Sequence, residues 1–316
     1  MSVVPTPVYE LLVAPLAFAL AFLHARRALG GRRAAGELIA LAAYGYALER
    51  AAIATFAAHE YPPAWRLAPG GVPVAVVAVW AAVISSAMAV AVRRGAGSPP
   101  ARAAVAALLA IAVDLVMEPV AVRAGLWRWT PPGPWLGVPM GNYVGWAVIV
   151  GSYTLGAERF AGAGLPAQEA ARRLALAVAS VVALLAVGLG WRSLEAERLF
   201  TPQGAWTVWA LLILGAAVAA RASGPRGDLT TLAGRLGTSA GPWPGVILFL
   251  VALPFLAQAA LFADPALALV AAASAGVLLF AVRRVRTQLG SAVGAPAGRT
   301  SLPPSRDSLP RGRKLD

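Results

Sequence analysis

The sequence predicts an all-α, polytopic transmembrane bundle of about nine helices. Three observations carry this expectation. Of the 316 residues, 59% are hydrophobic and only 13% charged, whereas soluble domains are roughly half apolar and a quarter charged. Apolar stretches close to the roughly 20 residues that cross a hydrocarbon core recur along the whole chain. The arginines between those stretches alternate in density, as the positive-inside rule requires of short connections.

The spans are expected at about 8–24, 37–57, 72–92, 103–122, 142–160, 174–191, 204–220, 244–262 and 266–282. The odd-numbered connections carry thirteen arginines, among them Arg26, Arg27, Arg93, Arg172 and Arg226, and the even ones carry five: Arg66, Arg123, Arg128, Arg192 and Arg198. Eight more Arg and Lys follow from Arg283 onward. This bias predicts an inner (cytoplasmic) membrane protein with its N-terminus outside and its C-terminus in the cytoplasm. Residues 1–286 then form the membrane domain. Residues 287–316, rich in Gly, Pro, Ser and Arg with little to bury, are expected to be a disordered, basic cytoplasmic tail. Many small residues, including 32 Gly, suit close helix approach in lipid.

The formal charge of +13 sits in short connections and forms no basic stripe interleaved with aromatics, so nucleic acid is not an expected partner. The chain has no cysteine and two histidines, His24 and His59. That excludes a disulfide framework, a thiolate zinc site and an iron–sulfur cluster, and leaves too few histidines for a haem or di-iron cluster. Neither a metal nor a cofactor is expected. The first residues lack a basic n-region, so no cleaved signal peptide is expected.

An internal echo follows. Gly71-Val72-Pro73 precedes Trp80 as Gly137-Val138-Pro139 precedes Trp146, and each motif follows a span bearing a glutamate, Glu49 or Glu118. Spans two and three are therefore expected to be a parallel duplicate of spans four and five, with the two glutamates in related places. Ionisable groups at membrane depth are costly, about 2.5–3.5 kcal/mol on insertion scales, and usually face a cavity or a partner. Glu49, Arg50, Asp114 and Glu118 are the strongest candidates. Asp114 and Glu118 lie one helical turn apart on one face. Two carboxylates so close in low dielectric resist double ionisation, so one is expected to keep a proton, as acid catalysis on an alkene requires. Pro119 deprives the Leu115 carbonyl of its usual donor and opens the helix beside the pair. The competing reading is structural: a Glu49–Arg50 or inter-helix ion network.

A dense aromatic stretch follows, with Trp127, Trp129 and Trp135 leading into Asn142, Tyr143 and Trp146. Trp65 and Trp135 are expected in the lipid-interface belt, and His59 is expected at the surface. Asn142 and Trp146 share a helix face beside the carboxylate span, where an aromatic face stabilises a cation and an amide holds a water.

The run Asp114-Leu-Val-Met-Glu118-Pro119, Gly125-Leu-Trp127-Arg-Trp129, then Gly137-Val-Pro139-Met-Gly-Asn142-Tyr143-Val-Gly145-Trp146 resembles the carotenoid biosynthesis membrane family, which includes carotenoid 1′,2′-hydratases and bisanhydrobacterioruberin hydratases. The likeness is strong over about 110–150 and weaker from Glu49 to Trp80. There the family tends to Thr-Gly-x-Pro-Phe-Gly-x-Tyr, while this chain has Thr55-Phe-Ala-Ala-His59-Glu60-Tyr61. The resemblance implies a hydro-lyase without a redox cofactor that adds water across the terminal double bond of an acyclic carotenoid end. The substrate would be lycopene, a monocyclic carotene or a C50 carotenoid held in the bilayer, with other carotenoid-pathway enzymes as potential partners. On this reading the catalytic residues are Asp114, Glu118 and Glu49: Asp114 or Glu118 donates the proton, the other tunes it or positions water, and Glu49 assists. Trp80, Trp127, Trp129, Tyr143 and Trp146 would wall the cation, and Asn142 would hold the water. The alternatives are a membrane lycopene cyclase, which starts with the same protonation, and a non-enzymatic carotenoid-binding or transport protein. A membrane prenyltransferase is disfavoured because no second Asp-rich cluster accompanies Asp114 and Glu118.

Overall fold

A computed structural model describes residues 6–93, 98–160, 166–209, 236 and 243–292. Long helices dominate it: α1 (Thr6–Leu29, with a π-helical turn at Tyr9–Val13), α2 (Gly31–Phe56), α3 (Val74–Arg93), α4 (Pro99–Ala124), α5 (Met140–Phe160), α6 (Pro166–Ser193), α7 (Trp243–Leu261) and α8 (Pro265–Ala292). These helices coincide with eight of the expected spans. The expected seventh, 204–220, begins in a helical stretch at 202–209 and then leaves the described residues. The last helix continues to Ala292, past the expected limit at 286, and the rest of the expected tail lies outside the described residues.

Local chemistry sets the helix ends. Ser98 caps α4, its hydroxyl accepting from the Ala101 amide at 3.3 Å, and Pro99 and Pro100 occupy first-turn positions whose N–H groups have no helical partner. Gly125 ends the helix with φ +72°, a conformation glycine adopts without steric cost. Ala57 ends α2 in the same left-handed region, φ +48°.

Packing separates helices of equal hydropathy. The apolar windows of α3 and α6 share a mean hydropathy of 2.3, yet 89% of the first and 11% of the second are buried within the protein. Helix α3 packs against α1, α2, α4 and α7, and α4 against α3, α5, α7 and α8, so this pair is the centre of the bundle. Helix α6 touches α2 and α5 and turns Leu174, Val178, Val182 and Leu189 outward, as a lipid-facing helix does.

The connections 57–73 and 125–139 fold back into the bundle. Trp65, 5% exposed, donates to the Leu126 carbonyl at 3.0 Å, and Trp135, 2% exposed, packs against Trp206 and Trp209. Neither belongs to an interface belt, contrary to the sequence expectation: a re-entrant connection buries aromatics that hydropathy alone assigns to the rim.

These connections meet as a two-residue antiparallel ladder between β1 (His59–Glu60) and β2 (Arg128–Trp129), pairing His59 with Trp129 and Glu60 with Arg128. The spacing that carries Glu49 onto Glu118 also carries His59 onto Arg128 and Glu60 onto Trp129. Exchanging the halves therefore maps the ladder onto itself, the pairing that a two-fold axis produces. The matching tryptophans, Trp80 and Trp146, meet with ring centroids 4.6 Å apart.

Candidate active site

Between the halves lies a cavity of about 700 Å³, lined by residues of α1 to α6 and of both re-entrant connections. A pocket of this size buries most of a small organic ligand. Apolar and aromatic groups make up most of its wall. Four carboxylates break that wall: Glu195 and Glu197 after α6, at the edge beside Arg192 and Arg198, and the pair Glu49 and Glu118 from α2 and α4.

Glu118 stands in the C-terminal half of α4, where the following Pro119 interrupts the hydrogen-bond ladder. The connection beyond α4 curls back and delivers two indole N–H groups to one carboxyl oxygen. Trp127 Nε1 donates to Glu118 Oε2 at 2.8 Å and Trp129 Nε1 at 2.9 Å. An oxygen accepting two such bonds has both lone pairs engaged, so a proton on this carboxyl sits on Oε1.

Glu49, in the corresponding place on α2, bonds to His59 instead, Oε2 to Nε2 at 2.9 Å. It does not pair with Arg50, whose guanidinium donates to the Gly70 carbonyl. His59 was expected at the surface, but only 9% of its side chain is exposed. Burial opposes protonation of its imidazole. The hydrogen bond to Glu49 and the charges of Glu49 and Glu118 outweigh that, and hold its pKa above the usual histidine value. The strand register sets His59 against Trp129, ring centroids 4.8 Å apart. The short ladder therefore joins the two acids in a continuous sequence: Glu49, His59, Trp129, Glu118.

Trp80 and Trp146 form another part of the wall. Tyr9, Tyr61 and Trp191 also line the cavity, and the sequence reading missed all three. Tyr9 begins the π-helical turn and packs edge-on against Trp65 at 6.0 Å. Its neighbour Glu10 is buried and accepts from the Arg66 and Leu67 amides at 3.2 and 2.8 Å, tying α1 to the first re-entrant connection. Glu10 opposite that connection was a legible signal, since a carboxylate early in an apolar span needs donors. For Tyr61, burial and then the charge of Glu49 push the phenol well above its usual pKa.

Two of the expected site residues lie off the cavity. Asp114, 0% exposed, stands behind Asn142, whose amide donates to Oδ2 at 2.8 Å. Asn142 lines the cavity and Asp114 does not. Tyr143 points away from the cavity and packs edge-on against Trp209 at 4.7 Å. The helix bearing Asn142 is itself held from outside. Glu197, on a 3-10 turn after α6, accepts from the Met140 and Gly141 amides at 2.6 and 3.1 Å and from Trp191 Nε1 at 3.0 Å, and so caps the first turn of α5.

A family model described as "Carotenoid biosynthesis protein" matches residues 7–223, and the chain belongs to that family. Neither a curated protein nor a solved structure matches the chain.

Proposed function

We propose that this member of the carotenoid biosynthesis family is a hydratase that adds water to the terminal double bond of an acyclic carotenoid end group. The observation that carries the reading is the pair of unlike carboxylates on one apolar, aromatic cavity: Glu118 under two indole N–H donors, Glu49 against His59.

The long polyene stays in lipid and one end group occupies the cavity. Glu118 transfers the proton on Oε1 to the less substituted carbon of the terminal alkene, which leaves a tertiary cation on its neighbour. The carboxylate so formed keeps its two indole bonds, and hydrogen bonds to a charged group are stronger than to a neutral one. The faces of Trp80 and Trp146 stabilise the cation, an interaction worth about 2 kcal/mol or more when desolvated. A water held near Asn142 attacks the cation and gives up a proton to Glu49. The proton then returns through His59 to Glu118. Across the turnover one water is consumed, its oxygen and one hydrogen forming the tertiary alcohol, and each carboxyl group regains its starting form. Asp114 acts through Asn142, as a positioning residue. With its re-entrant connections on the N-terminal side of the membrane, the cavity opens toward the outer leaflet.

Expression in a bacterium that accumulates lycopene tests the proposal. The expected pigment is heavier than lycopene by one water per modified end and carries no new ring. A cyclised pigment of unchanged mass would assign the same acid to a cyclase. A monocyclic or C50 carotene is supplied where lycopene is left unchanged, and no conversion of any of the three would overturn the reading.

A further inference from the structure

Behind Asn142, away from the cavity, several buried polar atoms have no hydrogen-bond partner among the described residues: Oδ1 of Asp114, the hydroxyl of Tyr143, and Nε1 of Trp135 and of Trp209. All four residues are more than nine-tenths buried. They are neighbours in the fold. Asn142 binds the other oxygen of Asp114, Tyr143 follows Asn142 in the chain, and its ring meets that of Trp209 at 4.7 Å. The Trp209 ring lies 5.8 Å from that of Trp135. Buried polar atoms without partners are costly at membrane depth and few in native proteins, so a cluster of them calls for an explanation.

Their chemistry is complementary: a carboxylate oxygen accepts, an indole N–H donates and a phenol does both. None of these four atoms hydrogen-bonds another. The ligand that satisfies such a set is small and neutral and both donates and accepts, which describes water. A buried water needs two to four polar partners, and this cluster supplies that number. Asn142 belongs to the cluster through Asp114 and to the cavity through its place in the wall.

We propose that Asp114, Tyr143 and Trp209 enclose an internal water site that supplies the cavity past Asn142. This rests on the hydratase reading for its purpose but not for its existence. An alkene hydratase in an apolar bundle has to bring water to a cation without flooding the site that forms it. A chamber gated by one amide delivers water singly, from the face of Asn142 opposite the substrate.

Two measurements test this on the full-length protein in lipid nanodiscs. The first is radiolytic hydroxyl labelling read by mass spectrometry, in which an ordered water oxidises the side chains beside it even when they are buried. Tyr143 and Trp209 are expected to label well above Phe255, which is as deeply buried and offers no polar atom. Labelling of Trp209 is expected to fall in Tyr143→Phe, which keeps the ring. Labelling of both no faster than Phe255 would overturn the site. The second is product partition in Tyr143→Phe. The ratio of alcohol to isomerised alkene, the product when the cation loses a proton, is expected to fall about tenfold, the equivalent of one hydrogen bond. An unchanged ratio would overturn the supply role. If the wild-type protein incorporates no solvent oxygen, the hydratase reading fails while the labelling result still decides the water site.

Discussion

Replacing Glu118 by Gln separates the acid from its cradle. In the wild-type protein Oε2 accepts from Trp127 and Trp129 at 2.8 and 2.9 Å. The Gln amide oxygen accepts the same two bonds, so the re-entrant connection keeps its place, while an amide nitrogen replaces Oε1 and has no acidic proton. Loss of a general acid costs about 10²–10⁴-fold in rate, or about 3–5 kcal/mol on the barrier. Trp127→Phe leaves the acid and removes one of the two bonds to its conjugate base. A hydrogen bond to a charged group contributes about 1.5–3 kcal/mol, so this change is expected to slow turnover about 10- to 150-fold. The two effects are coupled. In the Glu118→Gln background the same Trp127→Phe removes only a bond to a neutral amide, about 0.5–1.5 kcal/mol, and costs correspondingly less. The assay is turnover of a carotene in nanodiscs by the wild-type protein, both single variants and the double variant, at equal amounts of folded protein. Glu118→Gln within about threefold of wild type, far short of what loss of an acid costs, would refute the assignment. So would a Trp127→Phe penalty that is the same in both backgrounds.

Two further predictions concern the histidine and the topology. The raised pKa of His59 keeps it protonated beyond the usual histidine range, so activity is expected to fall as pH rises through that raised value. The stability from the Glu49–His59 pair, fully present below the unfolded-state pKa, is lost over the same rise. His59→Gln does not titrate, and its rate profile should lack the alkaline limb; an identical limb in both proteins would assign it to another group. The chain has no cysteine, so single cysteines report sidedness cleanly. Ala64→Cys in the first re-entrant connection is expected to react with an impermeant maleimide in intact cells, and Gly31→Cys only after permeabilisation; the reverse pattern would invert the orientation.

Most of the helices were legible because the spans are predominantly apolar runs of about the right length, a few of them broken by single charged residues. Their arrangement was not. Helices α3 and α6 have the same mean hydropathy, yet one is central and the other lipid-facing, and against a lipid surround hydropathy does not distinguish these places. The carboxylates were legible because charge at membrane depth is rare. The role of His59 was not legible. Its bond to Glu49 depends on the β1–β2 ladder, two residues long on each strand, which leaves no alternating pattern to read. The expected equivalence of Asp114 and Glu118 rested on helix periodicity, which places two side chains on one face but not the neighbour that covers one of them; here Asn142 from α5 covers Asp114. Tyr9 and Glu197 act from α1 and from the turn after α6, far in sequence from the motifs they serve, and their contacts exist only in the folded bundle.

Water is expected to capture the cation formed at Glu118. The most direct test is turnover of an acyclic carotene by the purified protein in oxygen-18 water, with the product analysed by mass spectrometry. The expected product is a tertiary alcohol whose oxygen comes from the solvent, one atom per modified end, with no such product from Glu118→Gln. An alcohol carrying unlabelled oxygen, or a product formed without any oxygen, would contradict it.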